Sequence, residues 1–391
     1  MKSFRKVIFW LHLISGVIAG MVILIMSVTG AILAFQPQIE SFAESKARVI
    51  PQPEPNAARL DAKTLLEKAQ TAKSNLKFSG LTVYSDSKAA AALSVGREEI
   101  IFLNPYNGEI IGESSKSVRG FFHLVTDWHR WLGASGEYRA SARAVTGFCN
   151  VAFFVLAITG IYIWFPRKLS WQHFRSIAFF RWNAAGKARD FNWHNVTGFW
   201  TALVLIVLTA TAIVMSYTWA SNLLFYATGN TPPTPQQAPQ RPPQNAEQQN
   251  AAPFVIPENI GSLWARAEQQ SPGWKSISVR FPLPENAPAA FTIDEGKALN
   301  PFGRSQLTLE AKTAEVVKWE PYSEQNWGRK LRSWFRFTHT GESFGIVGQI
   351  FAFLGCVGGT LLVWTGLSLA RRRFRNWLSR RSTATGSGEL A

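Results

Sequence analysis

Six histidines are distributed along the 391-residue chain: His12, His123, His129, His173, His194 and His339. His12 lies inside the apolar run "WLHLISGVIAGMVILIMSVTGAIL", and His194 opens a similar one, "HNVTGFWTALVLIVLTATAIV". An ionisable ring in such a run is costly unless it is ligated or hydrogen-bonded, so its default reading is a functional site. His129, in "DWHRWLG", and His339, in "RFTHTGESFG", precede two further apolar runs. The spacing therefore pairs His12 with His194 at one end of a helical bundle and His129 with His339 at the other, with His123 an open alternative to His129. His173, in the basic stretch "WQHFRS", reads as a surface or headgroup residue.

The residues four positions on are Gly16, Gly133, Gly198 and Ser343 for His12, His129, His194 and His339. On a helix that position lies one turn further along the same face. A small residue there gives clearance for a flat macrocycle beside the imidazole, which a bare metal ion would not need. Two facing imidazoles with that clearance describe bis-histidine ligation of b-type haem, a site built in bundle cores. Two haems are expected, with Trp10, Trp128, Trp131 and Trp193 as packing partners. The bland alternative is four interfacial or helix-packing histidines.

Four stretches lack Asp, Glu, Lys and Arg over a bilayer-spanning length: residues 7–35, 144–165, 193–220 and 343–370. With His339 included, the fourth unit runs over residues 339–370. The first run is far longer than a signal-peptide core, so it reads as an uncleaved helix. Fifteen of the 41 basic residues and two of the 25 acidic residues lie in the N-terminus, in residues 166–192 and in residues 371–391. By the positive-inside rule these segments are cytoplasmic, and residues 36–143 and 221–342 face outward. The formal net charge of +16 thus reflects topology, not nucleic-acid binding. The two cysteines, Cys149 and Cys356, fall in membrane stretches and supply no disulfide framework and no C-x-x-C-H haem attachment.

Residues 36–120 and 254–338 each read as a helix followed by short strands with turn signals, an Asn-Gly among them. Residues 121–143 form an interfacial segment, and residues 221–253 a Pro/Gln-rich linker. Both halves carry H-x-x-[ST]-G, Thr29 and Thr211 lie 17 residues beyond His12 and His194, and "ITGIYIWFPR" resembles "WTGLSLARRR". The expected fold is a four-helix membrane bundle in a two-plus-two repeat, carrying two α+β outer domains.

Arg119, Arg130, Arg139 and Arg143 precede the second membrane stretch, and Arg329, Lys330, Arg332 and Arg336 the fourth. Basic residues are disfavoured on that side. Haem propionates or an anionic substrate would supply countercharge, with Arg336, three residues before His339, the nearest candidate; the alternative is pairing with local carboxylates or lipid phosphates. No G-x-G-x-x-G or P-loop is present, so no nicotinamide or flavin site is expected.

The stretches "FLNPYNGEIIG", "HRWLG", "ITGIYIWFPR" and "FTHTGESFG" make the chain resemble the PepSY-associated transmembrane family, with an architecture that looks like its FoxB-type ferric-siderophore reductase branch, over Phe9 to about Arg373. The resemblance implies PepSY-like periplasmic domains and two haem b groups, with His12 and His194 ligating one iron and His129 and His339 the other. It also implies an oxidoreductase of the bacterial inner membrane that reduces a periplasmic ferric siderophore, drawing electrons from a cytoplasmic reductant or quinol. Two alternatives remain at this stage. One is a haem-bearing carrier to a periplasmic redox protein; the other is a non-enzymatic binding or regulatory membrane module.

Overall fold

A computed structural model describes residues 2–50, 57–96, 99–165, 170–233, 254–283, 287–296 and 302–386. Most of the expected linker, residues 234–253, lies outside them. The chain divides into two compact units, one of residues 1–35, 124–223 and 334–391, the other of residues 36–123 and 224–333.

In chain order the helices are α1 (Lys2–Leu33), α2 (Gln36–Ala43), α3 (Ser45–Arg48), α4 (Ala62–Ala72), α5 (Lys116–Trp131), α6 (Tyr138–Trp164), α7 (Trp171–Ala178), α8 (Gly186–Ser216), α9 (Thr218–Ala227), α10 (Ile260–Gln270), α11 (Trp327–His339) and α12 (Gly345–Gly386). The strands are β1 (Phe78–Tyr84), β2 (Ala91–Val95), β3 (Glu99–Leu103), β4 (Ile110–Glu113), β5 (Ser276–Arg280), β6 (Ala289–Asp294), β7 (Ser305–Leu309) and β8 (Val316–Glu320).

Four helices of the first unit, α1, α6, α8 and α12, are long and apolar enough to cross a membrane. Each packs mainly on two others, in the cyclic order α1, α6, α8, α12, so α1 and α8 stand diagonally opposite. Small residues let α12 approach both. A Cβ on Gly359 would lie 2.7 Å from Ser27 Oγ of α1, and one on Gly355 2.7 Å from Val204 of α8. Such closeness supplies packing where lipid removes the hydrophobic driving force between helices. Polar clamps add to it: Asn150 Nδ2 donates to Thr209 O at 3.0 Å, and Gln349 Nε2 to Ala34 O at 2.9 Å.

Several boundaries differ from the sequence reading. The interfacial segment at 121–143 is largely helical, because α5 starts at Lys116 and α6 at Tyr138. The basic stretch 166–192 contains α7 and the first turns of α8. The third run breaks at Tyr217, whose extended backbone (φ −117°, ψ 128°) separates α8 from α9. The fourth run does not begin at His339. Gly341 takes φ +78°, and a Cβ there would lie 2.6 Å from Gly348 O, so α11 ends and α12 starts afresh at Gly345. From there α12 continues through the basic tail to Gly386, since Arg and Leu are good helix formers and no Pro intervenes.

The second unit holds one antiparallel sheet in the order β4-β3-β2-β1-β5-β6-β7-β8, where the sequence suggested two small ones. The halves join because β1 and β5 pair, with Leu81 opposite Val279 and Val83 opposite Ile277. As separate edges these strands would leave apolar, unpaired backbone exposed; pairing removes both edges at once. Thr82 Oγ1 and Ser278 Oγ meet across the seam at 2.9 Å. The apolar faces of α4 (Leu65, Leu66, Ala69) and α10 (Ile260, Leu263, Ala267) share one core with Leu93, Ile101, Phe291 and Leu307 of the strands. Asp61 caps α4 by accepting from Thr64 N at 3.0 Å.

Candidate functional site

Two histidine pairs form within the first unit. His12 of α1 and His194 of α8 face each other with ring centroids 6.4 Å apart and planes at 87°. His129, in the last turn of α5, and His339, the last residue of α11, face each other at 6.3 Å and 51°. His123 stands six residues before His129, on the second unit, and is not part of either pair. The side chain of His173 lies outside the described residues.

Each ring uses Nδ1 on a threonine from a neighbouring helix. His12 Nδ1 meets Thr159 Oγ1 of α6 at 2.9 Å, and His194 Nδ1 meets Thr365 Oγ1 of α12 at 3.0 Å. His129 Nδ1 meets Thr29 Oγ1 of α1 at 2.9 Å, and His339 Nδ1 meets Thr211 Oγ1 of α8 at 3.2 Å, with Leu208 O also at 2.9 Å. Proton accounting assigns the tautomer. Each hydroxyl already donates to its own helix, Thr29 to Ile25 O (2.6 Å), Thr159 to Val155 O (2.7 Å), Thr211 to Val207 O (2.8 Å) and Thr365 to Leu361 O (2.6 Å). The shared hydrogen is therefore the imidazole's, Nδ1–H donates, and Nε2 keeps its lone pair.

Neutral rings suit that assignment. Burial, with His339 beside it, pushes His129 down to about 4, and burial likewise lowers His339. Proton and metal compete for the same nitrogen, so a ring that resists protonation is available as a ligand.

The spacing of the rings tests what could sit between them. A metal–imidazole bond of about 2.0–2.1 Å, with roughly 1.1 Å from nitrogen to ring centre, puts two rings about 6.3 Å apart across one shared metal. Both pairs meet that separation. Each supplies only two donors, and no group of three or more His, Cys, Asp or Glu among the described residues could hold a bare ion. A macrocycle that brings its own equatorial nitrogens fits this donor set; a tetrahedral zinc site does not.

Small residues leave room at the rings. A Cβ on Gly30 would lie 3.3 Å from His129 Cε1, one on Gly366 3.3 Å from His194 Cε1, and one on Gly160 3.5 Å from His12 Cε1. Each of these glycines follows a ring-binding threonine. The small residues singled out in the sequence divide differently. Gly16 and Gly198 lie on the helix one turn past their histidines, against Leu156 and Leu362. Gly133 and Ser343 do not, because both helices stop first: Leu132 and Gly133 turn left-handed (φ 52° and 76°) after α5, and Gly341 does so after α11.

The basic residues separate as well. Arg119 pairs with buried Glu44 at 2.5 Å, Arg139 with Asp127 at 3.7 Å and Arg329 with Glu320 at 3.2 Å. Lys330 Nζ donates to Ser323 O at 2.6 Å, and Arg143 Nη2 to Ser216 O at 3.1 Å. Arg130 and Arg139 lie over the Trp131 ring, at 4.6 and 4.4 Å. Arg336 is exposed and forms no ion pair among the described residues, as does Arg332. Of the tryptophans, Trp10 lies under Arg373, Trp128 is exposed, and the Trp193 indole nitrogen is buried with no hydrogen-bond partner among the described residues.

The pairs lie near opposite ends of the bundle. Along α1, the 17 residues from His12 to Thr29 span roughly 25 Å at about 1.5 Å per residue. Fold and site together define a helical membrane protein whose four-helix unit carries two facing histidine pairs and whose other unit is a helix-backed antiparallel sheet. The chain belongs to the PepSY-associated TM region family, which matches residues 9–373. No curated protein matches it.

Proposed function

We propose that this protein is a dihaem b-type oxidoreductase of the bacterial inner membrane that reduces periplasmic ferric siderophores and so releases Fe(II) for uptake. The observation that carries the reading is the pair of histidine couples, each at the ring separation of bis-imidazole ligation with Nδ1 occupied and Nε2 left as donor. His12 and His194 would hold one haem, and His129 and His339 the other; bound there, haem supplies one-electron transfer at iron. The chain's own part is to fix the ligand rings, keep them neutral and set the two sites on one scaffold. Gly16 and Gly198 keep bulk away from the turn that follows their histidines, Gly133 takes the left-handed turn that ends α5 after His129, and exposed Arg336 offers a cation to a propionate or an anionic substrate.

The excess of basic residues in the N-terminus, the 166–192 stretch and the tail supports cytoplasmic termini. His12 and His194 are then the inner couple, near a cytoplasmic reductant or quinol, and His129 and His339 the outer couple. The similar halves support descent from a duplicated unit, with the sheet as two PepSY-like repeats fused at β1 and β5. A ferric siderophore is a suitable acceptor because hard oxygen ligands hold Fe(III) far better than Fe(II), so reduction loosens the chelate.

Haem quantification and an absorption spectrum of the full-length protein from haem-replete cells test the first half: two haems per chain are expected, and a colourless preparation overturns the reading. Mixing dithionite-reduced protein with ferric siderophores and a ferrous chelator tests the second. Reoxidation with Fe(II) capture supports the reductase. Haem without any such reaction moves the acceptor to a periplasmic redox protein, and absence of haem leaves a binding or regulatory membrane module.

A further inference from the structure

Four threonines of the membrane helices touch the candidate ligands, and their distribution is crosswise. Thr29, on the helix that carries His12, serves His129 of the other couple; Thr211, on the helix that carries His194, serves His339. Thr159 and Thr365, from the two helices that carry no candidate ligand, serve His12 and His194. We infer that Thr29, Thr159, Thr211 and Thr365 are positioning residues that fix the Nδ1–H tautomer of the four ligands and tune the reduction potential of each site separately, Thr29 and Thr211 acting on one haem and Thr159 and Thr365 on the other. The inference rests on the haem reading above.

The physical chain is short. A hydroxyl whose own proton is committed to a helix carbonyl can only accept, so it holds the imidazole hydrogen on Nδ1 and leaves the Nε2 lone pair free for a ligand. Accepting that hydrogen bond makes the ring a better electron donor, which favours Fe(III) over Fe(II) and lowers the potential. The four are not equivalent. His339 Nδ1 also reaches Leu208 O at 2.9 Å, and His129 and His194 also hydrogen-bond the backbone of Met26 and Leu362, so these three keep an acceptor when their threonine loses its hydroxyl; among the described residues no such backbone partner stands at His12.

The substitution Thr→Val tests this at each position. It keeps shape and deletes only the hydroxyl; the helix carbonyl that the hydroxyl met retains its backbone partner, so the fold is expected to survive. Full-length protein is purified with haem, and single-haem backgrounds are made with His12→Ala and His129→Ala. In the His12→Ala background, Thr29→Val is expected to raise the potential of the remaining haem and to weaken haem retention roughly 10–100-fold, whereas Thr159→Val leaves both unchanged. A tenfold loss confined to the ferric form corresponds to a rise of about 59 mV for one electron. In the His129→Ala background the roles exchange: Thr159→Val and Thr365→Val shift the potential, and Thr29→Val does not. Thr365→Val is expected to shift less than Thr159→Val. Thr→Ser, which restores the acceptor, is expected to return each potential toward wild type.

Unshifted potentials in the Val variants overturn the inference, as does a shift in the haem that the crosswise scheme leaves untouched. A wild-type protein without haem overturns the underlying reading instead, so the two failures are distinguishable.

Discussion

Replacing Gly30 with Ala adds one methyl group beside a candidate ligand. Ala is the better helix former by about 0.5–1 kcal/mol in a helix interior, so propensity alone favours the variant. The new Cβ, however, would lie 3.3 Å from His129 Cε1 and 3.0 Å from Cys356 Sγ. The thiol can rotate away, whereas the ring is tied to Thr29, the adjacent residue, by a 2.9 Å hydrogen bond. Overpacking of this kind costs about 1–3 kcal/mol; the propensity gain is present whether haem is bound or released and does not offset it, so haem loss is expected to be about 5- to 150-fold faster. Gly366→Ala, 3.3 Å from His194, is expected to act on the other couple, and Gly160→Ala, at an ordinary 3.5 Å from His12, to act least. Haem transfer to an apo-globin acceptor, followed in single-haem backgrounds, reads the rates. If Gly30→Ala retained the haem of the His129–His339 couple at the wild-type rate, or released the other one, the packing around these rings would be misread.

The remaining predictions concern single residues. Glu44 of the sheet unit is buried; burial pushes its carboxyl up, but Arg119 and Arg48 outweigh this and hold it below the usual carboxylate range. The stabilisation it contributes is therefore present above about pH 4.5 and is lost as pH falls through the lower folded-state value. Glu44→Gln should destabilise that unit by about 3–5 kcal/mol, the effect of unpairing a buried charge, and flatten its acid dependence in hydrogen-exchange or melting experiments. Asp190 of α8, 3% exposed, accepts from Ser368 Oγ of α12 at 2.7 Å and pairs with Arg189 and Arg372. Arg189 and Arg372 are 47% and 45% exposed and stay solvated once unpaired, so Asp190→Ala should cost only about 1–2 kcal/mol and loosen haem bound by His12 and His194 while sparing the other couple. His129→Ala should remove one haem and His123→Ala none, read by the haem-to-protein ratio, since only His129 meets His339.

Much of the membrane unit was legible because its signal is long and simple. Four charge-free runs specify four helices, and the only feature that can interrupt them is local backbone chemistry, such as Gly341 at φ +78° or the extended Tyr217. Those interruptions displaced boundaries without changing the number of spans. The Asn107-Gly108 signal also marked a real turn between β3 and β4, with Gly108 at φ +76°. What periodicity could not contain was the fusion of the two sheets, because β1 and β5 are about two hundred residues apart and nothing local to either strand names its partner. The seam is written only as unprotected apolar edges in both halves, a reason to pair without an address.

The histidine couples were legible for the same reason as the spans: an imidazole in an apolar run stands out by its cost. The threonines that hold the rings were visible and yet mute. Thr29 and Thr211 shared a 17-residue offset, and Thr159 and Thr365 sat in similar helix ends, but threonine is common in membrane helices, where it ordinarily bonds its own backbone. These four do bond their backbone. That commitment turns each hydroxyl into a pure acceptor, and only the packing of four helices reveals which ring donates to it. The small-residue rule failed at Gly133 and Ser343 because same-face spacing assumes a helix that continues, and α5 and α11 both end within three residues of the histidine they present. Rings near the last turn of a short helix are held by what receives them from the neighbouring helix, which makes Thr29 and Thr211, rather than the residues following His129 and His339, the determinants of that couple's geometry.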